Sequence, residues 1–190
     1  MKNHRALVIG GSAGSLDVLL KVLPEINSNL DFPIIIVLHR KQGADSLLSD
    51  LLSYRTELKV KEADEKEKIM RGCIYIAPSD YHLLIEKDHT FSLDYSEKIN
   101  YSRPSIDVTF QSAADTYGDK LVCLLLSGSN ADGVNGLIAT KKNGGIIWAQ
   151  DPETAQVTYM PEQAILRAKV NAVLKPEEMA GYINSLSTNN

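Results

Sequence analysis

The chain has 190 residues, 44% hydrophobic and 23% charged, with a formal net charge of -4. That balance fits one globular domain with a full core, and its mild acidity leaves no basic footprint for nucleic acid or an anionic membrane surface. No run approaches the roughly 20 apolar residues of a membrane span. The apolar stretch behind the basic start is too short for a secretion signal. A cytoplasmic protein without membrane insertion is therefore expected. Cys73 and Cys123 lack any CxxC spacing and read as reduced, packed cysteines, and no metal or cofactor is expected.

In chain order, short β-branched runs alternate with longer amphipathic stretches. "ALVIG" reads as a strand and leads into "SLDVLLKVLPEI", where Leu16, Leu19, Leu20 and Leu23 recur at helical spacing. "FPIIIVLH" is continuously apolar, as a strand covered on both faces is. "ADSLLSDLLSY" returns to the helical pattern through Leu47, Leu48, Leu51 and Leu52. "LKVKEA" and "CIYIAPSDYHLLIE" read as strands, and "HTFSLDYS" pairs with the latter as a hairpin. "SIDVTFQSAADTYG" reads as a helix, with Pro104 near its start and Gly118 as its stop.

"KLVCLLLSG" is a second fully apolar strand. It precedes the helix "VNGLIATKKNGG", the strand "IIWAQ", the short helix "MPEQAILRA", the strand "AVLKP" and a closing helix, "PEEMAGYINSL". This alternation predicts an α/β fold. It is a single doubly wound, mostly parallel sheet with helices on both faces (Rossmann-like) and a β-hairpin in the middle of the chain. One domain is expected over 1–190, with its core at about 6–186 and residues 187–190 disordered.

In such a sheet, sites gather where strands end at their carboxyl edge. The loop after the first strand is Gly10-Gly11-Ser12-Ala13-Gly14-Ser15. It lacks the middle glycine of a dinucleotide fingerprint, no Lys-Ser/Thr pair follows, and no clear acid ends the second strand, so phosphate binding is disfavoured. Gly10, Ser12 and Gly14 instead match G-x-S-x-G, a sharp strand-to-helix turn that holds a serine outward.

A nucleophilic serine needs a base. Of His4, His39, His82 and His89, only His39 closes a strand on the rim that carries Ser12. "SGSNADG" then supplies Asp132 at a third strand end, with Asp151 as the alternative. A plainer role for Asp132 is to cap the helix starting near Gly133. Together Ser12, His39 and Asp132 fit nucleophile, general base and imidazole orienter. Backbone N–H groups of the turn around Ser12 (Gly11, Ala13, Gly14) and of the "SGSNADG" loop are the candidates for an oxyanion site.

Six stretches, "VIGGSAGS", "IIVLHR", "IYIAPSDYHLLIE", "SRPSIDVTFQSAA", "LLLSGSNADGVNGL" and "AQDPETAQVTYMPEQAI", occur in an order that resembles the chemotaxis protein-glutamate methylesterases, the CheB catalytic domain. The resemblance runs from about residue 6 to residue 183. It implies a serine hydrolase on a doubly wound sheet that removes γ-glutamyl methyl esters from the cytoplasmic helices of methyl-accepting chemoreceptors, releasing methanol, with glutamine deamidation in some members. It also implies Ser12 as nucleophile, His39 as base and Asp132 as acid.

Three departures from the family pattern stand out. Ser15 occupies a position where glycine is common, and Ser129 takes the place of a methionine whose backbone serves the oxyanion. The chain also starts at the catalytic strand, without the receiver domain of well-known members, so regulation is expected from a partner in trans. Arg40 and Arg103 are candidates for binding an acidic receptor helix, whereas Tyr81 and Met160 read as packing residues. The competing expectations are a non-catalytic receptor-binding or signalling adaptor that keeps the fold, and a dinucleotide binder.

Overall fold

The computed structural model describes residues 5–40 and 45–187, the side chains of residues 45 and 46 aside. His4 and all but Ser187 of the terminal segment 187–190 lie outside the described residues.

Nine strands and six α-helices follow one another in the described residues. The first half comprises β1 (Ala6–Gly11), α1 (Ser15–Val22), β2 (Ile34–Leu38), α2 (Asp45–Ser53), β3 (Lys59–Glu62), β4 (Cys73–Ile76), β5 (His82–Ile85) and β6 (Phe91–Asp94). The second half comprises α3 (Ile106–Tyr117), β7 (Leu121–Leu125), α4 (Val134–Lys142), β8 (Ile146–Gln150), α5 (Tyr159–Gln163), β9 (Ala172–Leu174) and α6 (Pro176–Asn184). The "MPEQAILRA" helix divides into α5 and a π-helical turn over Ala164–Ala168.

Seven strands form one sheet in the order β3-β4-β2-β1-β7-β8-β9, and every neighbouring pair is parallel. The predicted hairpin is present as the separate antiparallel pair β5–β6. Among the described residues, no helix is long and apolar enough to cross a membrane.

The central strands are apolar throughout because both sheet faces are covered. On one face Val8, Ile35, Val37, Cys123 and Leu125 pack with Ile106, Phe110 and Ala113 of α3 and with Val134 and Leu137 of α4. On the other, Leu7, Ile9, Ile34, Ile36 and Leu124 pack with Val18, Leu19 and Val22 of α1, Leu52 of α2 and Ile183 of α6. Each large side chain buried this way contributes about 1.5–3 kcal/mol.

The hairpin is held to α3 by a polar stripe at helical spacing. Thr109 Oγ1 donates to Leu83 O (2.7 Å), Ser112 Oγ accepts from Ile85 N–H (3.0 Å), and Thr116 Oγ1 donates to Ile85 O (3.1 Å). These bonds satisfy backbone groups of β5 that would otherwise form an open sheet edge.

Register aligns the strand ends. Gly11 lies opposite Leu38 of β2, and Gly10 lies opposite both Val37 of β2 and Leu125 of β7. The chain runs outward from β1 through β2 in one direction and later through β7 in the other. The exits of β2, β1 and β7 therefore sit side by side at the crevice of a doubly wound sheet.

Helices α3 and α4 cover one face of the sheet beside that crevice and approach closely at Gly136, where an added Cβ would lie 2.4 Å from Phe110 Cβ. Gly136→Ala should therefore force the two helices apart and destabilise the protein by about 1–3 kcal/mol, read as a lower denaturant midpoint.

Candidate active site

The turn after β1 is braced on two sides. Ser12 N–H donates to Ser127 O (2.9 Å) and lies 3.1 Å from Ser15 Oγ. Ser15 is fully buried, and its hydroxyl donates to the same Ser127 carbonyl (2.9 Å). Ser127 Oγ in turn donates to Ala13 O (2.7 Å) and accepts from Val157 N–H (2.9 Å).

Ser15 thus ties the turn to the loop after β7. The space for it comes from Gly11, where a Cβ would meet Ser15 Oγ at 2.1 Å. Gly14 has φ 83°, a left-handed conformation that glycine adopts freely, and it starts α1. Ser12 is left partly exposed at the start of α1.

His39 follows directly on β2, where its N–H donates to Gly11 O (3.1 Å). Its side chain is 12% exposed, and Nε2 lies 2.7 Å from Asp132 Oδ2. Asp132 is fully buried and accepts from five donors. Oδ2 takes His39 Nε2–H and Ile106 N–H (2.7 Å). Oδ1 takes Ser105 Oγ–H (2.9 Å), Asp107 N–H (3.1 Å) and Asn100 Nδ2–H (3.2 Å). Burial pushes the Asp132 carboxyl up, but the His39 imidazole and the N–H groups of Ile106 and Asp107 outweigh it and hold it below its ordinary value.

The capping expected of Asp132 is present, but on a different helix. Ile106 and Asp107 open α3, so Asp132 caps α3 rather than the α4 that follows it. Reciprocally, Asp107 Oδ1 accepts Gly136 N–H (2.8 Å) in the first turn of α4. Each helix is capped by the carboxylate that precedes or opens the other. Burial, followed by the nearby Asp132 charge, raises the Asp107 carboxyl, with the Gly136 N–H opposing both. Asp151, the alternative orienter, instead accepts Glu153 N–H (3.0 Å) and caps the turn after β8.

A cleft of about 550 Å³ opens over these groups, lined by Ser12, Ala13, His39, Arg40, Tyr101, Ser102 and Arg103 among others. Ser12 and His39 share it without a direct hydrogen bond. The hydroxyl found at His39 Nδ1 is that of Ser102, 3.4 Å away.

The loop after β7 runs close to Ser12: a Cβ at Gly128 would stand 3.1 Å from Ser12 Cβ. Among the described residues, neither the Ala13 nor the Ser129 N–H donates a hydrogen bond, whereas Ser12 N–H is already engaged. Gly11 lies within β1 and Gly14 at the α1 start.

Arg40 and Arg103 both line the cleft, and both also hold the scaffold. Arg40 donates to Glu62 Oε1 (2.7 Å) and Ala77 O (2.8 Å). Arg103 donates to Asp80 Oδ1 (2.9 Å) and Ser96 O (2.7 Å) and lies 3.9 Å over the Tyr95 ring. Met160 is fully buried, as expected of a packing residue, and Tyr81 leans on Tyr95.

His82 is buried in β5, where Nδ1 accepts Ser105 N–H (3.1 Å) and Nε2–H donates to Glu97 O (2.9 Å), which fixes its neutral tautomer. Sequence reasoning missed Asn100, Ser102, Ser105 and Asp107. Only Ser105-Ile106-Asp107, a serine and an acid at a helix start, carried a local signal for such roles.

A family model described as CheB methylesterase matches residues 7–183. A putative protein-glutamate methylesterase/protein-glutamine glutaminase of Leptospira interrogans is 44% identical over 188 residues, which make up 99% of this chain and 97% of that protein. The protein-glutamate methylesterase/protein-glutamine glutaminase of Thermotoga maritima is 36% identical over 173 residues, and the match spans 90% of this chain but only 50% of that longer protein. The crystal structure of the Thermotoga maritima CheB methylesterase catalytic domain matches with a TM-score of 0.93 at 34% identity, covering 96% of this chain and 98% of that one. With its fold and its sequence both matching, the chain belongs to the CheB methylesterase family.

Proposed function

We propose that the protein is a protein-glutamate methylesterase that cleaves γ-glutamyl methyl esters on the cytoplasmic helices of chemoreceptors, with Ser12 as nucleophile, His39 as base and Asp132 as orienter. The observation that carries this reading is the His39–Asp132 pair at 2.7 Å on the cleft that Ser12 lines.

With Nε2–H committed to Asp132, the neutral imidazole keeps its lone pair on Nδ1, the nitrogen facing the cleft. Ser12 Oγ attacks the ester carbonyl as Nδ1 takes its proton, and the carbonyl oxygen becomes an oxyanion. The unengaged Ala13 and Ser129 N–H groups are the donors best suited to it. Collapse expels methoxide, which takes the proton from His39 and leaves as methanol. Water then attacks the acyl-enzyme with His39 again as base, freeing the glutamate carboxylate and Ser12. A glutamine side chain follows the same steps with ammonia as leaving group.

Asp132 remains ionised throughout and stabilises the imidazolium. Arg40 and Arg103, each paired with a carboxylate of the scaffold, and Lys98 line the wall that would receive a carboxylate-rich helix. The relatives' names carry esterase and glutaminase activities, and no observation favours a non-catalytic adaptor.

Incubation with methyl-labelled receptor membranes should release labelled methanol, and Ser12→Ala should cut the rate about a thousandfold or more. Equal release by the two proteins would overturn the assignment. Ser15→Ala removes the buried brace under Ser12 without touching the cleft. It should lower kcat several-fold and slow covalent labelling of Ser12 by a phosphonate, while costing about 1 kcal/mol of stability in a denaturant titration.

A further inference from the structure

From the turn that covers the cleft, we propose that Asn100 is a positioning residue for the His39–Asp132 pair: its amide clamps Asp132 so that one carboxylate oxygen stays on the imidazole. The inference rests on the reading of this cleft as an esterase site and adds a residue to which neither the family resemblance nor the strand-end argument pointed.

Asn100 and Tyr101 both have positive φ, 51° and 61°. They form the tip of a two-residue turn closed by Ile99 N–H to Ser102 O (3.1 Å) and Ser102 N–H to Ile99 O (2.9 Å). Asparagine is among the few residues with a side chain that enter this conformation readily, and paired positive φ angles mark the tightest hairpin turns.

The turn aims two groups inward. Asn100 Nδ2 donates to Asp132 Oδ1 and to Asp107 Oδ2, both at 3.2 Å, and Ser102 Oγ lies 3.4 Å from His39 Nδ1. The turn thus touches both members of the pair, the acid from behind and the imidazole from the cleft side. Tyr101 between them points outward and is 98% exposed.

The amide orientation follows from chemistry. Two carboxylate oxygens accept and cannot donate, so only the NH₂ end of the side chain fits between them, one hydrogen for each. Asp107 and Asp132 are both buried, and their charges oppose one another. Among the described residues, Asn100 is the one side chain that donates to both. Without it Asp132 Oδ1 keeps Ser105 Oγ–H and Asp107 N–H, but it loses the donor that offsets the neighbouring negative charge. The carboxylate, still held by Ile106 N–H on Oδ2, is then held less tightly, and its bond to His39 loosens.

Two variants separate a donor from a space filler. Asn100→Ala removes the clamp from a surface turn and leaves both helix caps in place. Asn100→Asp keeps the shape but sets a third carboxylate against the first two. On a small methyl ester, with competent sites counted by phosphonate titration of Ser12, Asn100→Ala should lower kcat about tenfold with KM within about twofold. Asn100→Asp should be at least as impaired.

Wild-type kcat in Asn100→Ala, or in the isosteric Asn100→Asp, would overturn the proposal. A second readout needs no turnover. The imidazole proton shared with Asp132 should give a downfield proton resonance that is absent in His39→Gln. It should shift or broaden in Asn100→Ala, and an unchanged signal would also overturn the clamp. Because that signal does not depend on hydrolysis, a failed clamp is distinguishable from a failed esterase assignment, in which wild type neither turns over ester nor takes the label.

Discussion

The arrangement of this site depends on one buried charge. Asp132 has no contact with solvent, and an isolated carboxylate in such a place would cost several kcal/mol. Five donors offset that cost, two of them the first N–H groups of α3, which a helix leaves unsatisfied by its own ladder. The helix end and the carboxylate solve each other's problem, and the positive end of the α3 dipole adds to the match. Because Asp132 precedes α4 while serving α3, the two helices are registered against each other as well as against the sheet. Asp107 completes the exchange at Gly136, where the helices are closest. His39 is therefore oriented by a carboxylate that helix packing holds in place, together with the Asn100 side chain.

The opposite wall is built on neutral groups. Ser15, Ser127 and the backbone of Ser12 form a small network that joins the exits of β1 and β7 without using charge. Buried hydroxyls suit this role because each can donate and accept at once. Gln150 extends the network, with Oε1 accepting Ser127 N–H (3.0 Å) and Nε2 donating to Thr154 O (3.1 Å). A glycine at position 15 would leave the Ser127 carbonyl with one donor fewer. The serine found here is a brace, and it requires Gly11 to stay without a side chain.

The sheet was legible from the sequence because "FPIIIVLH" and "KLVCLLLSG" carry no polar interruption, and only a doubly covered strand can afford that. Strand ends then narrowed the search to Ser12, His39 and Asp132, which the register brings to one edge. What the sequence hid was the third dimension of the Asp132 environment. A carboxylate before a helix reads as that helix's cap, and nothing local says that it serves the N-terminus of a helix some 26 residues earlier in the chain. Asn100 and Ser102 were invisible for a related reason. They sit in a polar stretch between hairpin and helix, and their roles come from a turn geometry that folds them back over the cleft. The π-helical turn after α5 was hidden too, since "MPEQAILRA" carries an ordinary helical pattern.

The choice of ring nitrogen ties the two walls together. His39 leaves β2 with its backbone fixed to Gly11, and its far nitrogen, Nε2, reaches inward to Asp132. In the proposed reaction the nitrogen left for proton transfer is Nδ1, the one nearer its own backbone. In the familiar serine protease arrangement the roles are reversed, and the far nitrogen reaches out to the serine. A base that works through Nδ1 has less reach, so the nucleophile must be brought close to it by the chain itself. Ser12 leaves β1 one strand away from His39, at the same level in the sheet, on a turn held from beneath by Ser15 and Ser127. The rigid turn and the inward-pointing imidazole are thus two halves of one requirement. On the proposed mechanism, loosening either would cost the reaction more than it costs the fold.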